Sequence, residues 1–446
     1  MNRFHSIMRG TLIKGTLILT LAGLLSRLIG FFYRICLSRY FTGENIGIYQ
    51  LITPILALTF ALTAAGLQTA ISRLVAQAVT HSADSAYQIL CTALFASLIL
   101  SVLTTAFLLL YSEWVACFFL KEERTAPLIR IVALSVPFAS IHSCINGFFY
   151  GLKRTGVPAL SQLLEQFFRV TFVFLFCAFL VGDSNSPKII VAAIGLLIGE
   201  IFSSIFSLIC CFRTLISLSC TMPIPSLSKF RNLLGQLFSL SWPLTASRVI
   251  ITLLLSIEAS YIPECLEQHG MSTADSLTVY GILTGMSLPL ILFPSALTNS
   301  VSVLLLPIIS EADGKHNISQ IVKTTRRCVK YCLLLGFAAT IGFYFLGLPV
   351  TSLLFHNTLA GEYVRRLSLL CPFLYLGTTL GSILHGLGKT KQSFLIQLLS
   401  LSSRLFFVFV LIPDFGIQAY FMGLFLSQMF LSILYLLALR KYLYYT

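Results

Sequence analysis

Residues 86–111, AYQILCTALFASLILSVLTTAFLLLY, form an apolar run of 26 positions that contains no charged residue, glycine or proline. A helix needs about 20 apolar residues to cross the hydrocarbon core of a bilayer, so this run predicts a membrane-spanning helix. The whole chain has the same character, because 57% of its 446 residues are apolar and only 10% are charged. Soluble globular domains are usually about one quarter charged, so the composition excludes a soluble enzyme.

Eleven further runs of this kind are separated by charged residues, glycine or proline. Hydropathy of this pattern predicts an all-α polytopic membrane protein with about twelve transmembrane helices. The predicted spans are 12–38, 46–79, 86–111, 127–151, 157–182, 188–217, 234–262, 276–310, 326–348, 363–387, 391–412 and 416–439. The connections between them are short, so no soluble domain is expected.

The 30 Lys and Arg residues predict the orientation of these spans. With the N-terminus inside, 17 of them fall on cytoplasmic segments, 6 on external segments and 7 within spans. This bias follows the positive-inside rule and places both termini in the cytoplasm. The net charge of +14 is therefore interpreted as an orientation signal and a contact with anionic lipids, and no nucleic-acid partner is expected.

The two halves of the chain resemble each other at a constant offset of 235 residues. The matched residues of rare type are Pro54 and Pro289, Arg130 and Arg365, Gly151 and Gly386, and Arg169 and Arg404. Six spans per repeat is an even number, which predicts parallel repeats about an axis along the membrane normal. We therefore predict an N-terminal lobe at 1–222 and a C-terminal lobe at 223–446, with an insertion in a loop at 262–275. The alternative is a chance match between apolar segments.

Seven arginines lie inside the predicted spans, where one Arg at mid-bilayer costs about 3 kcal/mol on the insertion scale. They are Arg27, Arg34, Arg73, Arg130, Arg169, Arg248 and Arg404. Arg27 and Arg34 are two turns apart on one face of the first helix, and Arg248 holds the repeat-equivalent position of Arg27. A guanidinium is always charged and binds phosphate oxygens as a fork, so we predict a pyrophosphate site of Arg27, Arg34, Arg73 and Arg248. Snorkelling to the interface is the alternative for Arg34, Arg73 and Arg130.

Acidic residues at depth predict a second group of sites. Glu165 precedes Arg169 by four residues, the favourable order for an ion pair on one helix, whereas Ser400 holds that position before Arg404. A secondary cavity or structural ion pair is predicted at Arg169, Arg404, Glu165 and Asn299. Glu200 and Glu258 are predicted as possible sites of cation coupling.

Catalytic motifs are missing from the sequence. It has no hydrolase elbow, metal-ligand cluster or phosphate-cradling loop, and the external loops are short. His142, His356 and Glu362 are the only candidates for catalysis, so we expect no enzyme, no metal and no cofactor. Without a nucleotide site, an ion gradient or the membrane potential is expected to drive any transport.

Two segments carry a resemblance to a known family. Residues 26–31, SRLIGF, and residues 288–300, LPLILFPSALTNS, resemble stage V sporulation protein B and its relatives. These are polysaccharide biosynthesis flippases of the multidrug/oligosaccharidyl-lipid/polysaccharide exporter superfamily, related to lipid II flippases. The resemblance extends over essentially the whole chain.

The resemblance implies two six-helix lobes around a central cavity that opens to each side of the membrane in turn. It also implies an undecaprenyl-pyrophosphate-linked saccharide as substrate, lipid II or a related cell-wall, spore-cortex or polysaccharide precursor, moved to the outer leaflet of the bacterial plasma membrane. Arg27 matches an essential arginine of the lipid II flippases, Arg34 is displaced by one residue from a second, and Arg73 is a looser match. The eighth span has no Arg or Lys, and Arg248 is expected to take over that role.

Three further expectations accompany this interpretation. The protein is expected to act as a monomer. A cation-coupled multidrug antiporter of the same fold is one alternative function, and it would need unpaired acidic residues in the cavity. A scaffold for sporulation or the cell envelope that transports nothing is the other.

Overall fold

The computed structural model describes residues 2–79, 82–180, 188–218, 220–221, 223 and 225–440. Within these ranges every regular element is a helix and no strand occurs. Twelve helical segments of the described chain are long and apolar enough to cross a membrane, which confirms the predicted class and number. They are α1 (Ile18–Tyr40), α2 (Gly43–Ala78), α3 (Ala83–Leu110), α4 (Glu123–Gly151), α5 (Gly156–Phe179), α6 (Ile190–Ser217), α7 (Leu227–Gln268), α8 (Thr273–Leu292), α9 (Ile318–Phe355), α10 (Thr358–Gly386), α11 (Thr390–Phe415) and α12 (Ile417–Ala438).

The outward faces of these helices carry large apolar side chains. Leu110, Phe179 and Phe345 are each more than 70% exposed. In water, each such side chain would cost about 1.5–3 kcal/mol relative to burial. Apolar faces of this extent are stable against lipid, as the hydropathy of the sequence predicts.

Two helices extend well beyond the predicted spans. α7 has 42 residues and α9 has 38, whereas 234–262 and 326–348 were predicted. Hydropathy marks only the apolar part of a helix, and the helix continues through polar residues until a cap ends it. For α9 the side chain of Asn317 accepts a hydrogen bond from the Gln320 amide at 3.0 Å, and the helix ends at His356 with a φ of 50°.

The region around α8 differs from the prediction in two ways. The insertion at 262–275 is not a loop, because α7 continues to Gln268 and α8 begins at Thr273, after Ser272 has capped it. The predicted single span at 276–310 is interrupted at Pro294, and a separate helix, Ser295–Gly314, follows. Proline cannot donate the backbone hydrogen bond that would continue the helix, which accounts for the break.

The chain forms two compact units. The first consists of Met1–Gly30 and Leu51–Ser256, and the second of Phe31–Gln50 and Ile257–Thr446. Residues of α1 and α2 are thus divided between the units, and most of α7 belongs to the first. The predicted repeat lobes at 1–222 and 223–446 stay a prediction, since these units are defined by contacts and have other boundaries.

Each unit contains an equivalent contact that supports the internal repeat. α4 ends at Gly151 and α10 ends at Gly386, which are separated by the predicted offset of 235 residues. A Cβ atom at Gly151 would meet the side chain of Val75, and one at Gly386 would meet the side chain of Ile309. Glycine therefore allows the same close helix approach in both units.

A glycine-lined crossing joins the start of α2 to α8 within the second unit. A Cβ atom at Gly47 would fall on the carbonyl oxygen of Leu277, and one at Gly281 would fall on the carbonyl oxygen of Gly43. The two backbones are therefore in direct contact, which only glycine permits. The end of α1 belongs to the same unit, so this crossing also fixes the surroundings of Arg34.

Candidate functional site

The structure divides the seven intramembrane arginines by whether their side chains have a partner. Arg34, Arg130, Arg169 and Arg404 make hydrogen bonds or ion pairs. Arg27, Arg73 and Arg248 are exposed, and none of the three makes a side-chain hydrogen bond or ion pair with the described part of the chain. A charged group inside a span is costly, so the second set requires either water or a ligand.

The exposed set, Arg27, Arg73 and Arg248, lies on three different helices of the first unit. Arg27 is on α1, Arg73 on α2 and Arg248 on α7. Its neighbour Ser26 is only 7% exposed, so Arg27 occupies the outward face of its helix turn. Three of the four residues predicted to bind pyrophosphate therefore present free guanidinium groups.

Arg34, the fourth predicted pyrophosphate ligand, binds backbone atoms instead. Its Nη1 atom donates to the carbonyl oxygen of Thr284 at 3.0 Å and lies 3.4 Å from that of Gly285. These carbonyl groups belong to a π-helical turn, Leu283–Ser287, at the middle of the eighth span. A π turn displaces carbonyl groups from the regular α-helical bonding pattern, and Arg34 supplies the donor that they need.

Arg169 and Arg404, equivalent positions of the repeat, are paired with carboxylates by different routes. Nη2 of Arg169 donates to Oε1 of Glu165, four residues earlier on α5, at 2.5 Å. Nη2 of Arg404 donates to Oε2 of Glu258 on α7, also at 2.5 Å, and the Tyr420 hydroxyl donates to the other oxygen at 2.8 Å. Both pairs lie at least 84% buried, so each charge is neutralised locally.

The remaining predicted residues lie in different surroundings. Asn299 is half-buried on the Ser295–Gly314 helix. Arg130 bonds Ser112 and the exposed Glu113 at the end of α4, as expected of a side chain that reaches the interface. Oε2 of Glu200, on α6, lies 3.0 Å from Nδ1 of His142 on α4.

His142 is the residue of this group that the sequence did not place. It was considered only as a possible catalytic residue, and 58 positions separate it from Glu200, so no local spacing connects the two. Only the packing of α4 against α6 brings them together.

Among the described residues, His142, Glu165 and Glu200 are the one group with metal-ligand atoms close together, all within 4.8 Å. The Glu165 oxygen already accepts hydrogen bonds from Arg169 and from Gln166 at 3.3 Å. Hard metal cations prefer six or more oxygen ligands, and too few remain here. The donor set therefore does not fit a metal ion.

Comparison with known proteins gives consistent results over nearly the whole chain. The sequence pattern of the family described as polysaccharide biosynthesis protein matches residues 12–313. Stage V sporulation protein B of Bacillus subtilis (strain 168) is 27% identical over 438 residues, which is 97% of this chain and 84% of the relative.

Solved structures share the fold at low identity. The lipid II flippase MurJ, in an inward closed conformation, superposes with a TM-score of 0.74 at 16% identity and covers 95% of this chain and 87% of its own. A multidrug resistance MATE family transporter of the MOP superfamily, inward-facing, superposes with a TM-score of 0.73 at 16% identity, covering 96% and 98%. The chain is thus a multi-pass integral membrane protein with the fold of this transporter superfamily.

Proposed function

The chain belongs to the family of polysaccharide biosynthesis proteins, and from this membership we propose that it carries a polyprenyl-pyrophosphate-linked saccharide from the cytoplasmic to the outer leaflet of the plasma membrane. The proposed substrate class includes lipid II and related precursors of the cell wall, spore cortex or polysaccharide. Two relatives support it, stage V sporulation protein B and the lipid II flippase MurJ of Bacillus subtilis (strain 168).

The exposed set of Arg27, Arg73 and Arg248 is the observation that carries this proposal. These cations lie within apolar spans and have no partner in the described part of the chain. At about 3 kcal/mol each on the insertion scale, they would be removed by selection unless they bound something. A pyrophosphate matches them, because each guanidinium presents two N–H groups to two phosphate oxygens.

The paired arginines have another role in this proposal. Arg169 and Arg404 are neutralised by carboxylates, and Arg34 stabilises backbone carbonyl groups. We assign these three to holding helices in place while the exposed set binds the substrate. The pyrophosphate group then moves by alternating access, with the isoprenoid tail left in lipid.

The driving force follows from the charge of the proposed substrate. The membrane potential is worth about 2.3 kcal/mol per elementary charge per 100 mV. With the cell interior negative, it favours outward movement of a load that carries a net negative charge. Coupling to a cation gradient would add to this, and Glu200 suits that role better than Glu258, whose two oxygens already accept hydrogen bonds.

An antiporter for cationic drugs is supported by the likeness of fold alone. Such a substrate would be repelled by the exposed set of arginines, since like charges in a low-dielectric site are strongly unfavourable. An anionic lipid-linked substrate is therefore the better match. We propose further that the protein acts as a monomer, that its basic cytoplasmic segments contact anionic lipids, and that both termini lie in the cytoplasm.

Complementation of a strain depleted of its lipid II flippase tests the proposal. The wild-type chain should restore growth, and the Arg27→Ala/Arg248→Ala variant should not, although it reaches the membrane in equal amounts. Arg130→Ala is the matched control, because it also removes a span arginine but one with a surface partner. Restored growth by the double variant would contradict the proposed role of the exposed set.

A further inference from the structure

Four ionisable side chains from three helices meet inside the first unit. They are His142 on α4, Glu165 and Arg169 on α5, and Glu200 on α6, and we name them the quartet. Their side chains are only 13–16% exposed. Nδ1 of His142 lies 3.0 Å from Oε2 of Glu200, and Nη2 of Arg169 lies 2.5 Å from Oε1 of Glu165.

Two glycines of α6 hold the quartet together. A Cβ atom at Gly199 would lie 2.7 Å from the carbonyl oxygen of Glu165 and 3.3 Å from Cβ of Arg169. One at Gly195 would lie 2.5 Å from the side chain of Val173. The glycines thus bring the backbone of α6 against α5, which places Glu200, the next residue, beside the Glu165–Arg169 pair.

The charges of the quartet do not balance when His142 is neutral. Arg169 compensates Glu165, and Glu200 then leaves one negative charge that the described residues do not neutralise. An uncompensated charge in a buried site costs several kcal/mol. One proton added to the imidazole of His142 gives two cations and two anions, and the quartet becomes neutral.

The hydrogen bonding of the quartet is incomplete in the same place. Nδ1 of His142 and Oε2 of Glu200 are both shielded from solvent, and neither has a partner with hydrogen-bond geometry among the described residues. Their separation is nevertheless that of a hydrogen bond. A shared proton is the smallest addition that satisfies both atoms, and the occupied oxygen of Glu165 leaves too few ligands for a metal ion.

We propose that His142 and Glu200 reversibly bind one proton, and that this proton couples transport to the proton gradient. The coupling rests on the proposed function, whereas the binding of the proton does not. The proton comes from water on one side of the membrane, joins Nδ1 of His142 next to the Glu200 carboxylate, and returns to water on the other side. The groups that face His142 are Glu200 on α6, Glu165 on α5 with its bound Arg169, and the Phe138 carbonyl on its own helix.

Titration of His142 tests the proton site directly. The full chain is prepared in lipid nanodiscs with ¹⁵N-labelled histidine, and the His142 signal is identified by its loss in His142→Gln. It should titrate once in the wild type. Glu200→Gln should weaken proton binding at His142 about tenfold or more, because it removes the neighbouring carboxylate. Glu113→Gln, an exposed carboxylate on another part of the first unit, should leave the titration unchanged.

Three results would overturn the proton site. They are a wild-type His142 that does not titrate, an equal midpoint in Glu200→Gln, and displacement of the titration by Na⁺ at constant pH, which would assign the site to a metal cation. The wild-type titration needs no variant, so misfolding of Glu200→Gln cannot obscure it.

Flipping of a fluorescent polyprenyl-pyrophosphate saccharide in proteoliposomes tests the coupling. An imposed pH gradient should change the wild-type rate and should not change that of Glu200→Gln. An equal response of both proteins would overturn the coupling. Failure of the wild type to move this probe under any gradient would contradict the proposed function, while the titration would still decide on the proton site.

Discussion

Nη2 of Arg404 on α11 lies 2.5 Å from Oε2 of Glu258 on α7, although 146 residues separate the two in the chain. The repeat-equivalent Arg169 is paired with Glu165 on its own helix at the same distance. Each unit therefore neutralises its mid-span arginine, once by a neighbour in sequence and once by a neighbour in space. Arg27, Arg73 and Arg248 are left exposed for another purpose.

Breaking the Arg404–Glu258 pair should destabilise the protein. Glu258→Gln leaves a buried guanidinium without its counter-charge, and we expect a loss of about 3–5 kcal/mol in the free energy of unfolding. The measurement is denaturant unfolding in detergent. Glu258→Gln combined with Arg404→Gln should recover most of the loss, since no buried charge remains. A single variant as stable as the wild type would show that the pair contributes nothing.

Arg34→Ala should act on stability rather than on substrate affinity. The variant leaves the carbonyl groups of Thr284 and Gly285 without their donor, which should cost about 1–3 kcal/mol of unfolding free energy. Unfolding and binding of undecaprenyl pyrophosphate are measured on the same sample. Unchanged stability together with lost binding would return Arg34 to the phosphate-binding set.

Much of the fold could be predicted because membrane insertion depends on composition. Apolar runs such as 86–111 and the distribution of Lys and Arg gave the class and the twelve spans. The extent of α7 and α9 could not be read this way, because their ends are polar and continue as helix until a cap such as Asn317 or His356. The break at Pro294 was underestimated, since a span proline can either bend or end a helix.

The site was predictable only where its contacts are local. The Glu165–Arg169 pair follows from a spacing of four residues on a helix. The contacts of Arg404 with Glu258, of His142 with Glu200, and of Arg34 with the π turn at Leu283–Ser287 depend on helix packing and on backbone geometry. No periodicity in a single sequence records such contacts.

The glycine-lined crossing of α2 and α8 should not tolerate a side chain. Gly281→Ala places a methyl group on the carbonyl oxygen of Gly43, so the helices must separate, at a cost of about 1–3 kcal/mol in unfolding free energy. Gly342→Ala on α9 is the matched control, because nothing lies within 4 Å of its added Cβ atom. It should be neutral or stabilising by up to about 1 kcal/mol. Equal stability of both variants would contradict the crossing.

The orientation can be measured by cysteine labelling. Cys117 is exposed in the connection between α3 and α4, which is predicted to lie outside. In a variant whose other eleven cysteines are alanine, a membrane-impermeant maleimide should label Cys117 on intact cells. When Cys117 is also alanine and Arg154→Cys is added on the predicted inner side, labelling should require permeabilised cells. The reverse pattern would invert the proposed topology.

The central claim is that the exposed arginines bind the pyrophosphate of a lipid-linked saccharide. Its most direct test is the initial rate at which purified protein in proteoliposomes flips a fluorescent undecaprenyl-pyrophosphate saccharide. We expect Arg27→Ala/Arg248→Ala to lose about tenfold or more, since a charge-assisted hydrogen bond is worth about 1.5–3 kcal/mol, and Arg130→Ala to match the wild type. A double variant that flips the probe as fast as Arg130→Ala would contradict the claim.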